Sequence, residues 1–357
     1  MRRILPLSSI LWLGCTSATP PPTESEALPR ADVTEGFERA WQEVRVQVDE
    51  LPIDSVVVVC DDEVVAEHHR DGFDASTPHD LRSSTKSITG LLVGMALDRG
   101  IIPSLDTDIL TFFPERAPPE SWANPITVED LLTMQSGLDC NDWNIRSAGN
   151  EEYMYLTDDW LSFFFRIPAI EEPGQRYSYC TAGVVVLGEI IARAAGRPLP
   201  DLAQEWLFEP LGVREAEFES TPLGVTDAGG HLQASVETLA KIGLLTLHGG
   251  TYQGTQILSE EYATDMLSVQ ASLSRGPGPR FGYLWWLEPV EDDLVRSFQT
   301  RGNGGQYSIV VPSLRAVVAF TGHAYNDSAR QQAIFSLAAD AIFPLLTDGC
   351  PVRSSTP

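Results

Sequence analysis

Lysine is almost missing. Lys86 and Lys241 are the only two in 357 residues, and arginine supplies the rest of the positive charge. Cations as a class are scarce too: 24 Lys and Arg stand against 50 Asp and Glu, a formal net charge of −26 and a pI near 4.4. A surface this acidic argues against binding nucleic acid or anionic lipid, because both ligands would be repelled over most of the molecule. Only six histidines occur, none at H-E-x-x-H or comparable metal-ligand spacing, and no two cysteines form a C-x-x-C pair. Neither a metal nor a cofactor is therefore expected. Internal repeats are lacking as well. Hydrophobic and charged fractions of 43% and 21% are ordinary for a globular chain of this length.

The N-terminal apolar run, Ile4 to Leu13 behind Arg2 and Arg3, is too short to span a bilayer as a permanent helix. It reads as an export signal, residues 1–14. Gly14-Cys15 at its end is similar to a bacterial lipoprotein signal, in which Cys15 would carry lipid and give the only membrane contact; plain cleavage is the alternative. Residues 15–32, rich in Pro, Ser and Thr, read as a tether. With Cys15 set aside, Cys60, Cys140, Cys180 and Cys350 remain. An even number in an exported chain suggests two disulfides, and the count alone leaves three pairings open. Four buried free thiols are the competing reading.

Strand patterns gather at the two ends. "SVVVVC" and "EVVAEHH" flank Asp61-Asp62, and "QYSIVVP" and "AVVAFTG" flank 313–315, each as a hairpin. Neither hairpin is stable alone, so both are expected in one sheet. Between them the pattern is mostly helical. "STKSITGLLVGMALDRG" puts Ile88, Leu91, Leu92 and Met95 on one face, and "TVEDLLTMQSG" opens with a capping box and closes at Gly137. The expected fold is α/β (α+β): one domain over 33–350, with an antiparallel sheet from about 33–82 and 280–350, flanked by helices, and a helical insertion over about 83–279.

Ser83-Ser84-Thr85-Lys86 opens one of those helices. Spacing of three places the Ser83 hydroxyl and the Lys86 ammonium on one face. A serine hydroxyl needs a proton acceptor before it attacks, and a lysine can serve only if its surroundings lower its pKa. Taken alone, the tetrad is equally a helix cap with a snorkelling lysine. Two further motifs follow in order: "PGQRYSYCTAG", with Tyr179 just ahead of an apolar helix, and "TRGNGGQYSIVVP", a glycine-rich turn entering a strand.

This succession resembles the serine β-lactamase and penicillin-binding-protein superfamily, and within it the β-lactamase-related hydrolases: class C β-lactamases, D-alanyl-D-alanine carboxypeptidases, carboxylesterases and 6-aminohexanoate-dimer hydrolases. "ITVEDLLTMQSGL" and "FGYLWWL" strengthen the likeness, which runs over most of 50–345. It implies that Ser83 is acylated, that Lys86 is its proton acceptor or electrostatic partner, and that Tyr179 relays protons, with Tyr177 a buried aromatic. The oxyanion would sit between the amides of Ser83 and Gln306. Thr181, Asn303, Gly304 and Gly305 would contact substrate. The resemblance also places Cys140 and Cys180 together at the cleft, and the two ends of the domain together at Cys60 and Cys350. Two positions depart from the family: Thr181 stands where Asn is usual, and Asn303 where Lys is usual. A cleft without that lysine would favour esters and neutral amides over free-carboxylate substrates. The implied activity is ester or amide hydrolysis on a small molecule or peptide. A weak β-lactamase or D,D-peptidase, and a catalytically weak peptidoglycan-binding module, are the alternatives. His231 beside two glycines reads as structural, and Trp285-Trp286 as either core or pocket floor.

Overall fold

The computed structural model describes residues 26–272, 280–291 and 294–353; the export signal, Cys15 and most of the tether lie outside them. One sheet organises the molecule. Its strands are β1 (Ile53–Cys60), β2 (Glu63–His69), β3 (Ala271–Ser272), β4 (Arg280–Phe281), β5 (Trp286–Glu291), β6 (Leu294–Gly302), β7 (Gln306–Val311) and β8 (Ala316–Gly322). They lie in the order β2-β1-β8-β7-β6-β5-β4-β3, antiparallel throughout. The first and last strands pair with each other, one strand in from the β2 edge, with Val58 opposite Val318. Both expected hairpins are present. Asp61 and Asp62 turn the first with φ of 49° and 68°, the double left-handed conformation that matches strand twist.

Helix α1 (Glu35–Glu50), capped by Thr34, buries Phe37, Trp41, Val44 and Val48 against one face of the sheet. That spacing is one stripe of an amphipathic helix. The other face carries α2 (Ser84–Asp98) and α4 (Val236–Leu247), and α3 (Thr181–Ala195) packs behind α2 in the same core. The expectation of a single apolar face on α2 is corrected here: every residue from Ser84 to Ala96 is buried. Its polar residues are small and satisfied. Ser84, Ser87 and Thr89 donate to the carbonyls of Gln306, Leu284 and Ala228 at 2.7, 2.7 and 2.6 Å, so burial costs them little. Gly94 lets the helix approach, since a Cβ there would lie 2.3 Å from the Tyr262 ring.

Other boundaries also shift. The capping box at Thr127 and Asp130 forms, but its helix ends at Leu132, because Met134 takes a left-handed φ of 58°. The sheet begins at Ala271, earlier than 280. Residues 26–32 do not hang free. Leu28 is buried, the Ala31 amide bonds to the Val64 carbonyl, and the buried Lys241 donates to the Glu26 carbonyl. The second lysine thus clasps the chain entry. Cys60 is bonded to Cys350 and Cys140 to Cys180, with Cα separations of 5.7 and 5.3 Å.

Candidate active site

Ser83 precedes the first turn of α2, with φ −63° and ψ −10°, and its side chain makes no capping bond. Instead Lys86 Nζ donates to Ser83 Oγ at 3.0 Å and to the Gly229 carbonyl at 2.5 Å. Lys86 is 2% exposed. A helix cap with a snorkelling lysine fails on both counts. Tyr179, on the loop before α3, places its ring 5.1 Å from Lys86 Nζ, close enough to Ser83 for that hydroxyl to help offset the upward push of burial on its phenol. The exposed Trp143 stacks on that ring at 5.2 Å and 8°. Tyr177 packs edge-on against Phe281 with its hydroxyl buried and unpartnered, well suited to an aromatic filler.

The turn into β7 supplies the opposite wall. Gly304 and Gly305 take φ of 105° and 95°, and a Cβ at either would come within 2.6 Å of Tyr325 or Ile334. Only glycine fits. The Gln306 side chain faces away, paired with Gly322 at 2.6 and 3.3 Å, so Gln306 offers the cleft only main chain. Among the described residues the Ser83 amide has no hydrogen-bond partner. Asn303 reaches Asn326 and Gln331, each bond 2.8 Å. The enclosed cleft is about 220 Å³, with Ser83 flanked by Arg82, Glu151, Tyr155, His231 and Asn303.

Residues 42–341 match the family model described as Beta-lactamase. The chain belongs to the beta-lactamase family. The 6-aminohexanoate-dimer hydrolase of Paenarthrobacter ureafaciens is 24% identical over 316 residues, 83% of this chain and 79% of that protein. A D-aminopeptidase of Brucella anthropi is 30% identical over 172 residues, 46% of this chain but 32% of that longer protein. Among solved structures, EstCE1, a hydrolase with promiscuous acyltransferase activity, superposes with a TM-score of 0.70 at 16% identity, covering 85% and 98% of the two chains. The fold is that of β-lactamases and penicillin-binding proteins, and this family member is a serine hydrolase.

Thr181 does not line this family member's cleft. It is fully buried, and its hydroxyl lies 2.9 Å from Asp142 Oδ2 and 2.7 Å from Glu151 Oε2, while its amide donates to Asp142 at 2.7 Å. One hydroxyl has one proton to give. With two carboxylates on it, the hydroxyl can serve only one as donor, an arrangement that favours a proton held on Asp142. Burial and the Glu151 charge push the Asp142 carboxyl up to about 7. Asp227, almost fully buried, accepts from Tyr155 at 3.2 Å and is also raised by burial.

These acids bear on which of the two expected roles Lys86 takes, proton acceptor or electrostatic partner. Burial pulls its pKa down, but Tyr179, Glu151, Asp142 and Asp227 outweigh that, and the net shift is upward. Burial raises Tyr179 more than Lys86 lowers it. The resting site therefore holds an ammonium and a neutral phenol.

The expectation of a cleft without a cation also fails. Arg82 enters it from the residue before Ser83, and Arg82 Nη1 approaches His231 Nε2 at 3.3 Å. His231 is thus a cleft residue, held by Asp80 at 2.8 Å, which raises its pKa. Trp285 is core, whereas Trp286 packs 6.1 Å from Tyr179. Sequence reasoning missed Arg82, Asp142, Glu151, Tyr155 and Asp227. Only Arg82, adjacent to the nucleophile motif, carried a signal.

Proposed function

We propose that the protein is an exported serine hydrolase that cleaves an ester or amide through an acyl-enzyme on Ser83. The observation that carries this is the buried Lys86 ammonium 3.0 Å from an uncapped Ser83 hydroxyl. With no free base at rest, Tyr179 acts as a relay: its hydroxyl takes the Ser83 proton while giving its own to the departing alkoxide or amine. Ser83 Oγ bonds to the carbonyl carbon, and the leaving-group bond breaks. Water then reverses the relay, handing a proton through Tyr179 back to Ser83 Oγ as the acyl group leaves as acid. Lys86 keeps its charge and stabilises both forms of Oγ. The amides of Ser83 and Gln306 would hold the oxyanion. The amide- and ester-directed names of the relatives support a substrate of that class.

Export, with lipid on Cys15 as the anchor, is supported by the N-terminal pattern and by the two disulfides, which persist in oxidising compartments. The test is a fluorophosphonate probe with a panel of p-nitrophenyl esters, nitrocefin, a D-Ala-D-Ala peptide and a linear amide. Labelling should map to Ser83, and Ser83→Ala should lose labelling and all turnover by orders of magnitude. A Ser83→Ala protein that still acylates would place the nucleophile elsewhere.

A further inference from the structure

Arg82 has a backbone conformation that arginine does not favour: φ is +49°, in the left-handed region, and His231 across the cleft shares it at +54°. Neither residue type favours that conformation, so the fold holds both side chains at the cleft against a local preference. The guanidinium is incompletely satisfied. Its Nε lies 2.9 Å from Asp80 Oδ2 as an ion pair, yet at an angle that makes no hydrogen bond. Nη1 approaches His231 Nε2, and Nη2 has no hydrogen-bond partner among the described residues. Asp80 is divided, since the same oxygen accepts from His231 Nδ1. The Tyr325 ring lies 5.3 Å from the guanidinium carbon and backs its plane. The Arg82 side chain remains 38% exposed, and among the described residues it is the one arginine or lysine on the cleft wall.

The cleft's charge is polarised. Glu151 and Glu152 line it as well, and they repel any anion from their side. In a chain of net charge −26, general attraction cannot bring an anionic substrate in. A planar cation with unused donors, stacked on an aromatic ring one residue from the nucleophile, is chemistry suited to a carboxylate.

We propose that Arg82, with His231 beside it, forms an anion subsite, so that the substrate is an ester or amide carrying a free carboxylate near the scissile bond. This rests on the serine-hydrolase reading above. It places a cation on the nucleophile's own loop, where Asn303 leaves the strand without one.

Two matched substrate pairs test it: p-nitrophenyl hydrogen adipate against its methyl ester, and 3-butanoyloxybenzoate against 3-butanoyloxybenzamide. They put the carboxylate on the acyl and the leaving side respectively. In wild type, the carboxylate member of at least one pair should have the higher kcat/KM by about 10- to 100-fold, the range of one charge-assisted contact. Arg82→Gln should bring that ratio to about 1 or below, and Arg82→Lys should keep part of it. The ratio is the readout, because a merely structural role for Arg82 would lower both members together. Should Arg82→Gln fail to fold, competitive inhibition of wild type by benzoate at least ~10-fold more strongly than by benzamide supports the subsite, and equal inhibition overturns it. Neutral esters turned over with ratios of 1 or less in both pairs would overturn the subsite and leave the hydrolase standing. No turnover of any ester and no fluorophosphonate label would overturn both.

Discussion

Glu151→Gln should flatten the pH dependence of stability. In the wild type, the Thr181 hydroxyl lies between Asp142 and Glu151, so the pair keeps one proton that unfolded carboxylates release near pH 4. Asp142 titrates at about 7, raised by burial first and by Glu151 second. The sign follows from proton counting: between about pH 4 and 7 the folded state binds more protons than the unfolded one, so stability falls as pH rises. A shift of this size corresponds to roughly 4 kcal/mol, full below the unfolded carboxylate range and gone above about pH 7. Gln at 151 keeps the shape, donates an N–H to Thr181 Oγ1, and leaves Asp142 as the one titrating carboxyl of the pair, without the Glu151 charge against it. Burial of Asp142 stays, so the relief is a part of the whole, about 1–2 kcal/mol. Calorimetric melting of oxidised protein at pH 5 and pH 8.5 reads it. The gap in Tm between the two pH values should be a few degrees smaller in Glu151→Gln than in wild type. Parallel pH profiles would refute the shared proton.

Lys86→Arg and Lys86→Met should both lose at least ~1,000-fold in kcat/KM on an ester, because a guanidinium does not fit a buried site closed by the Gly229 carbonyl at 2.5 Å; a near-normal Lys86→Arg would show that positive charge alone suffices. Thr181→Val should cost about 1–2 kcal/mol in denaturant unfolding by leaving two half-buried carboxylates without their hydroxyl. Thr181→Ser should restore most of it, and equal loss in both would assign the effect to packing instead.

What the sequence exposed, and what it hid, divides along a physical line. Hairpins were legible because their determinants are local: alternating Val runs around Asp61-Asp62, and Pro312 through Arg315 between two strands. Ser83, Lys86 and Tyr179 were legible through motif order. The all-round burial of α2 was not, because Ser84, Ser87 and Thr89 look solvent-facing until their carbonyl partners arrive from distant segments. The same holds for charge. Lys86 is set by Asp142, Glu151 and Asp227, three carboxylates from two distant stretches of chain among the fifty acids in the sequence. His231 reads as structural until Asp80 and Arg82, some 150 positions away, are seen to hold it.

The two disulfides should separate stability from chemistry. Both close loops of unfolded chain; in the entropy model, the 40-residue separation of Cys140–Cys180 is worth about 4 kcal/mol, and the 290-residue separation of Cys60–Cys350 about 5–6 kcal/mol. The first bridge joins Cys140 to Cys180, the residue after Tyr179, so it is a candidate for holding that phenol in place. The structure shows that it does not act alone. The Asp142 amide donates to the Tyr179 carbonyl at 2.9 Å, Ser178 Oγ donates to the Cys140 carbonyl at 2.6 Å, and the Thr181 amide donates to Asp142 at 2.7 Å. Trp143 adds a stacked ring. Four ties therefore keep the two loops in register without the sulfurs. The double variant Cys140→Ser/Cys180→Ser should thus lose several degrees of Tm, yet keep kcat within about tenfold of wild type well below that Tm. A relay held by the bridge alone would instead lose about a hundredfold for a displacement near 1 Å. Cys60→Ser/Cys350→Ser, in the core between α1 and the sheet face away from α2, should change Tm with no change in kcat. A kcat loss of a hundredfold in the first variant, with Tm unchanged, would make that bridge a positioning device and the four noncovalent ties insufficient.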